Sequence, residues 1–107
     1  MLALVVSLQV KPGHRDAFLA AITEQARRSF TDELGCRYFD VTVDTTDDHH
    51  FVFYELYTDQ SALDAHRAAP HFAAWRQAAA EHVVPGSQVN TITEQLLHHR
   101  GEEGVRT

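Results

Sequence analysis

Phe51-Val-Phe-Tyr-Glu-Leu-Tyr57 reads as a β-strand, because aromatic and branched residues fit a pleated, half-buried surface. It also carries one carboxylate, Glu55, among apolar neighbours. A charge in such a run is costly unless something pairs with it or uses it. The strand is followed by Thr58-Asp-Gln-Ser-Ala-Leu-Asp-Ala-His66 and then by Pro70-His71-Phe72. Asp59 or Ser61 can cap a short helix reaching about His66. Pro70 interrupts that helix, since proline lacks an amide hydrogen and clashes inside a helix. It is tolerated in the first turn of a new one, so residues 70–82 read as a second helical piece.

Working outward, residues 36–44 form the strand before this one. The acidic stretch 44–48 is a polar loop, and the strand at 50–58 returns as the second arm of a hairpin. Upstream, Leu2, Leu4, Val6, Leu8 and Val10 share one face of a strand over 2–10. Pro12-Gly13 is a turn. Residues 14–31 read as a helix with Phe18, Ile22, Ala26 and Phe30 as its apolar stripe, flanked by Ala17 and Ala21. Downstream, Pro85-Gly86 turns the chain into a last strand over 88–97, and a polar tail follows. The order βαββαβ is the ferredoxin-like α+β arrangement, a four-stranded antiparallel sheet with its helices on one face. Residues 1–98 make one domain and 99–107 a flexible tail.

The uncovered sheet face should be polar in a monomer. Here Ala3, Val5, Tyr38, Val52, Tyr54 and Leu56 put apolar groups on it as well. An exposed apolar face of that size predicts association, so a homodimer packed through its sheet faces is expected. The 107 residues fit one domain at roughly 100–200 residues per domain. Fifteen acids against nine bases give a net charge of −6, and no basic run offers a nucleic-acid footprint. No apolar run is long enough to span a bilayer. A single cysteine, Cys36, excludes an internal disulfide. With no export signal in view, the expectation is a cytoplasmic protein.

Three residues can handle protons or anions. Glu55 is either a pocket base, its pKa raised by burial, or half of a structural ion pair. His66 can transfer a proton near neutrality or serve as a half-buried helix residue. His71 follows Pro70 at a helix start, where free amides favour an anion, or it is a surface histidine. The two imidazoles stand five residues apart across a proline. That is not the spacing that puts two histidines on one helix face, so no metal site is expected. Phe39, Tyr57, Phe72 and Trp75 are candidate walls for a flat ligand. Arg37 and Arg67 are the cations available to an anionic one. Cys36 reads as a small buried hydrophobe.

Gly35-Cys-Arg-Tyr-Phe-Asp-Val41, Phe53-Tyr-Glu-Leu-Tyr57, Ala62-Leu-Asp-Ala-His66 and Pro70-His-Phe72 together resemble the antibiotic biosynthesis monooxygenase domain. The resemblance runs from residue 2 to about 97. It implies a dimeric α/β barrel and a small monooxygenase that uses dioxygen and no bound cofactor on a quinol or phenolic substrate. His66 and Glu55 would be catalytic, and Arg37, Phe39, Tyr57, His71, Phe72 and Trp75 would bind substrate. The segments from Arg37 to Asp40 and from Pro70 to Phe72 look most like the quinol-monooxygenase and autoinducer-2-processing branches. The latter implies an alternative, an isomerase or lyase acting on a small phosphorylated compound. A non-catalytic ligand-binding barrel is the third reading. Three departures stand out. Tyr57 replaces a frequent Trp, and Ala69 replaces a frequent Ser or Thr. Ser7 stands where the heme-degrading branch carries Asn, and that branch's Trp–His pair does not align with this chain.

Overall fold

A computed structural model describes residues 1–101. Its elements run β1 (Leu2–Gln9), α1 (Arg15–Asp32), β2 (Cys36–Asp44), β3 (Asp47–Tyr57), α2 (Gln60–Ala68), α3 (Pro70–His82) and β4 (Val89–Glu94). The four strands form one antiparallel sheet in the order β2-β3-β1-β4. This is the expected ferredoxin-like α+β fold, with the second helical region split at Ala69. Among the described residues no helix is long and apolar enough to cross a membrane. Most of the tail expected at 99–107 lies outside the described residues.

The core lies between the sheet and the helices. Leu4, Val6 and Leu8 of β1 stand beside Glu55, Phe53 and Phe51 of β3, and all six are buried. Phe18 of α1 is fully buried against this layer. Its ring centroid is 4.9 Å from that of Phe51, 5.8 Å from that of Trp75 and 6.2 Å from that of Phe53. An aromatic anchor so placed is worth about 3–5 kcal/mol against truncation to alanine.

Two boundaries and one buried face differ from the sequence reading, each for a physical reason. The polar stretch 44–48 is not an open loop. Asp44 pairs with Asp47 across the two residues Thr45 and Thr46, and the Asp44 carboxylate accepts from the Thr46 amide at 2.8 Å. Such a side-chain-closed turn fixes register whatever the polarity of the flanks, so β3 starts at Asp47. At the other end, β4 stops at Glu94 because Glu94 already faces Leu2, the first residue of β1. Leu96 and Leu97 therefore lie beyond the ladder and are exposed.

The third difference matters most. The buried face of α1 is Phe18, Ile22, Gln25 and Ser29, while Phe30 is 57% exposed. At about 100° per residue, a strict four-residue spacing from 18 to 30 drifts about 120° around the helix. The spacing 18, 22, 25, 29 returns to within about 20°. The second half of the buried stripe is therefore polar.

Candidate active site

β3 holds Glu55 on the helix-covered side of the sheet, between Leu4 of β1 and Phe39 of β2. The side chain is almost fully buried. Tyr57, two residues on and so on the same face, donates its hydroxyl to Glu55 Oε1 at 2.6 Å. Burial is the main cause that pushes the Glu55 pKa up to about 7, the hydroxyl of Tyr57 opposes it, and the charge of Glu33 adds to it. Burial also raises the Tyr57 phenol well above its ordinary value, so Tyr57 stays a donor and is no base.

His66 lies in the last turn of α2. Asp59 starts that helix by accepting the Ala62 amide at 2.9 Å. The chain leaves it through Ala69 in an extended conformation, and Pro70 opens α3. This break turns His66 and His71 toward a common partner that sequence reading missed, Glu33. His66 Nδ1 lies 2.9 Å from Glu33 Oε1 and His71 Nε2 lies 2.5 Å from Glu33 Oε2. Glu33 is the C-cap of α1, where the backbone becomes extended. It lies one turn beyond Ser29 and two turns beyond Gln25. The signal was present as polar residues continuing the buried stripe of a helix.

With Nδ1 donating to Glu33, the Nε2 lone pair of His66 faces away, 3.6 Å from Glu55 Oε1. That separation is too long for a hydrogen bond. Burial lowers the His66 pKa and the charge of Glu33 opposes the shift, so the imidazole is held neutral and available as an acceptor. A base oriented by a third group that fixes its tautomer is the arrangement that activates hydroxyls in many enzymes. The buried chain Tyr57–Glu55, His66–Glu33–His71 ends near the surface, since the Glu33 and His71 side chains are 12% and 13% exposed.

Glu55 and His66 line a small cavity of about 50 Å³ with Leu4, Val6, Ile22, Gln25, Phe39, Phe53, Arg67, Phe72, Trp75, Gln88 and Asn90. An outer groove of about 480 Å³ between α3 and the start of β4 shares Phe72, Trp75, Gln88 and Asn90 with it. Of the expected binding residues, Phe39, Phe72 and Trp75 are walls of the cavity. Tyr57 stands behind Glu55 instead. His71 lies on the far side of Glu33, in a shallow depression with Gln25 and Trp75. Arg37 is not brought to the cavity. A register irregularity between Cys36 and Tyr38 leaves it exposed on the open side of the sheet with Tyr38 and Leu56. Gln25 is 3% exposed, and among the described residues neither its Nε2 nor its Oε1 has a hydrogen-bond partner. Each such orphaned group costs on the order of 1–3 kcal/mol.

Glu33, His66 and His71 bring one carboxylate oxygen and two imidazole nitrogens within 4.8 Å of one another. Sequence spacing does not reveal this meeting, because the break at Ala69 reorients His71. Two histidines and a carboxylate are a donor set for divalent transition metals. Here both facing nitrogens already donate to the carboxylate. A cation would have to displace both hydrogen-bonding protons, so the trio is read as a hydrogen-bonded relay. Cys36 is buried and its thiol is pushed up to about 12, chiefly by burial, which makes it a poor nucleophile at neutral pH.

The same fold recurs among solved proteins. A Nitrosomonas europaea structure, provisionally assigned as an antibiotic biosynthesis monooxygenase, is similar with a TM-score of 0.84 and 27% identity, over 91% of this chain and 100% of that one. A crystal structure described as an antibiotic biosynthesis monooxygenase is similar with a TM-score of 0.82 and 28% identity, again over 91% and 100%. An uncharacterized protein of Synechocystis, sll1783, is 30% identical over 66 residues, which are 62% of this chain and 44% of that protein. This chain therefore aligns with less than half the length of that curated relative. The family model described as antibiotic biosynthesis monooxygenase matches residues 1–78, from β1 into α3. On that match the chain belongs to the antibiotic biosynthesis monooxygenase family.

Proposed function

We propose that this protein is a small monooxygenase that adds one atom of dioxygen to a quinol or phenolic compound without a bound cofactor. The observation that carries this reading is the pairing of His66 Nε2 with Glu55 Oε1, 3.6 Å apart, at the wall of an aromatic cavity. His66, held by Glu33, takes the hydroxyl proton and leaves an electron-rich ring anion. That anion supplies the electrons to dioxygen. One oxygen atom bonds to a ring carbon, and the other leaves as water with the hydrogens of that C–H and of the hydroxyl. Glu55, with its pKa near 7, is poised to return a proton to the departing oxygen. The burial of both groups strengthens every charge interaction between them and a bound anion.

A cavity of about 50 Å³ is below the roughly 300–1,000 Å³ of usual ligand sites. The ligand therefore enters the cavity only in part: its oxygen-bearing ring reaches past Phe72 and Trp75, which border both spaces, and the rest of the molecule lies in the outer groove. Val5, Val52, Tyr54 and Val89 leave an apolar strip on the open sheet face, which supports a homodimer built through that face. The protein's unpaired cysteine accords with a reducing cytoplasm. The isomerase or lyase reading needs a phosphate site. Of its expected cations only Arg67 borders the cavity, so the quinol branch is favoured over the autoinducer-2-processing one.

The test is oxygen consumption by metal-stripped protein on a panel of quinols and polyphenols, beside His66→Ala and Glu55→Gln. Uptake that both substitutions reduce by about 10²-fold or more supports the reading. Uptake unchanged in both variants rejects it.

A further inference from the structure

The acid–base pair does not use Gln25. This residue sits on the buried face of α1 at a position where the stripe Phe18–Ile22 calls for an apolar side chain. It is 97% buried, and both its amide oxygen and its amide nitrogen lack partners among the described residues. It lines the same cavity as Glu55 and His66, with Ile22, Phe39, Phe53, Phe72 and Trp75 supplying apolar wall. A primary amide offers two N–H donors and one carbonyl acceptor. Folding leaves that capacity unspent at one point of a chamber whose proton-handling groups are elsewhere.

We infer that Gln25 is a ligand-recognition subsite that hydrogen-bonds an oxygen function of the substrate. This rests on the reading of the cavity as the substrate site. The group it reads is a hydroxyl or carbonyl oxygen on the ring, distinct from the hydroxyl that His66 deprotonates. A hydroxyl suits the amide best, because it can donate to Oε1 and accept from Nε2 at once. The ligand class is therefore a flat ring with two separated oxygen functions. A site built to bond an oxygen discriminates strongly against the analogue that lacks it, because the buried amide is then left unpaired.

Trp75 is the single tryptophan of the chain and lines both the cavity and the groove, so its indole N–H resonance reports occupancy. The experiment titrates hydroquinone and phenol under nitrogen, by protein NMR, into wild type, Gln25→Leu and Gln25→Met. Both substitutions should weaken hydroquinone roughly tenfold or more and move phenol by less than about twofold. Both should also raise the melting temperature, because they remove an unsatisfied buried amide. A merely structural glutamine would lower it. Equal effects on the two probes, a lowered melting temperature in both variants, or an indole resonance unmoved by hydroquinone overturns the inference. Oxygen uptake by wild type is scored separately. Uptake without Gln25 discrimination removes only this subsite, and discrimination without uptake removes only the oxygenase.

Discussion

Glu55→Gln should make the protein more stable at alkaline pH while impairing it as an enzyme. The carboxyl has an ordinary pKa of 4.5 and is raised to about 7 in the fold. A raised acid binds more protons in the folded state. Its unfavourable contribution is therefore absent below pH 4.5, grows as pH rises, and is complete above pH 7. At 1.36 kcal/mol per unit, the full penalty is about 3 kcal/mol. Integrated over the two titrations, it is about 1 kcal/mol at pH 5 and about 3 kcal/mol at pH 8. His66, with its lowered pKa, works in the opposite direction, losing stability as pH falls below about 6.5. Its effect is shared by both proteins and cancels in the difference. Glutamine keeps an oxygen for the Tyr57 hydroxyl. Urea unfolding at the two pH values should show the advantage of the variant growing by about 2 kcal/mol or more between pH 5 and pH 8. The same difference at both pH values would refute the account of Glu55 as a carboxyl held protonated by burial.

Glu33→Gln should cut the turnover number by roughly 10²-fold or more with little change in KM, since it removes the group that fixes the His66 tautomer; a pH–rate profile and rate identical to wild type would show that Glu33 does not position the base. Gly35→Ala should destabilise the fold by about 1–3 kcal/mol in thermal unfolding, because the added methyl would stand 2.3 Å from Ala62 Cβ and push α2, with His66, away from β2. For the homodimer proposed above, Tyr54→Glu, on the open sheet face and 38% exposed, should shift sedimentation from dimer to monomer, whereas a wild type that sediments as a monomer, or a variant that stays dimeric, would refute an interface through that face.

The fold was legible because its signals are local. Period-2 strands, proline and glycine punctuation and the Asp59 cap give the element order without knowledge of contacts. Glu55 and His66 were legible for a related reason, as chemistry-bearing residues placed oddly in an apolar strand and a short helix. Glu33 and Gln25 were not. Both belong to the face of α1 that the drift between a four-residue spacing and the 3.6-residue turn conceals, and each looks like an ordinary surface residue in sequence. Arg37 was misplaced because a one-residue irregularity redirects a side chain, and Gly35 just before it reads as the end of the connection from α1 rather than as the mark of an irregularity.

The most direct measurement is single-turnover reaction of metal-stripped protein with a quinol under oxygen-18 gas, with mass analysis of the product. The account predicts one labelled oxygen atom per product molecule, the other appearing in water, and loss of labelling above the protein-free control in His66→Ala. Product that carries no label, or labelling equal in wild type, His66→Ala and the protein-free control, would contradict it.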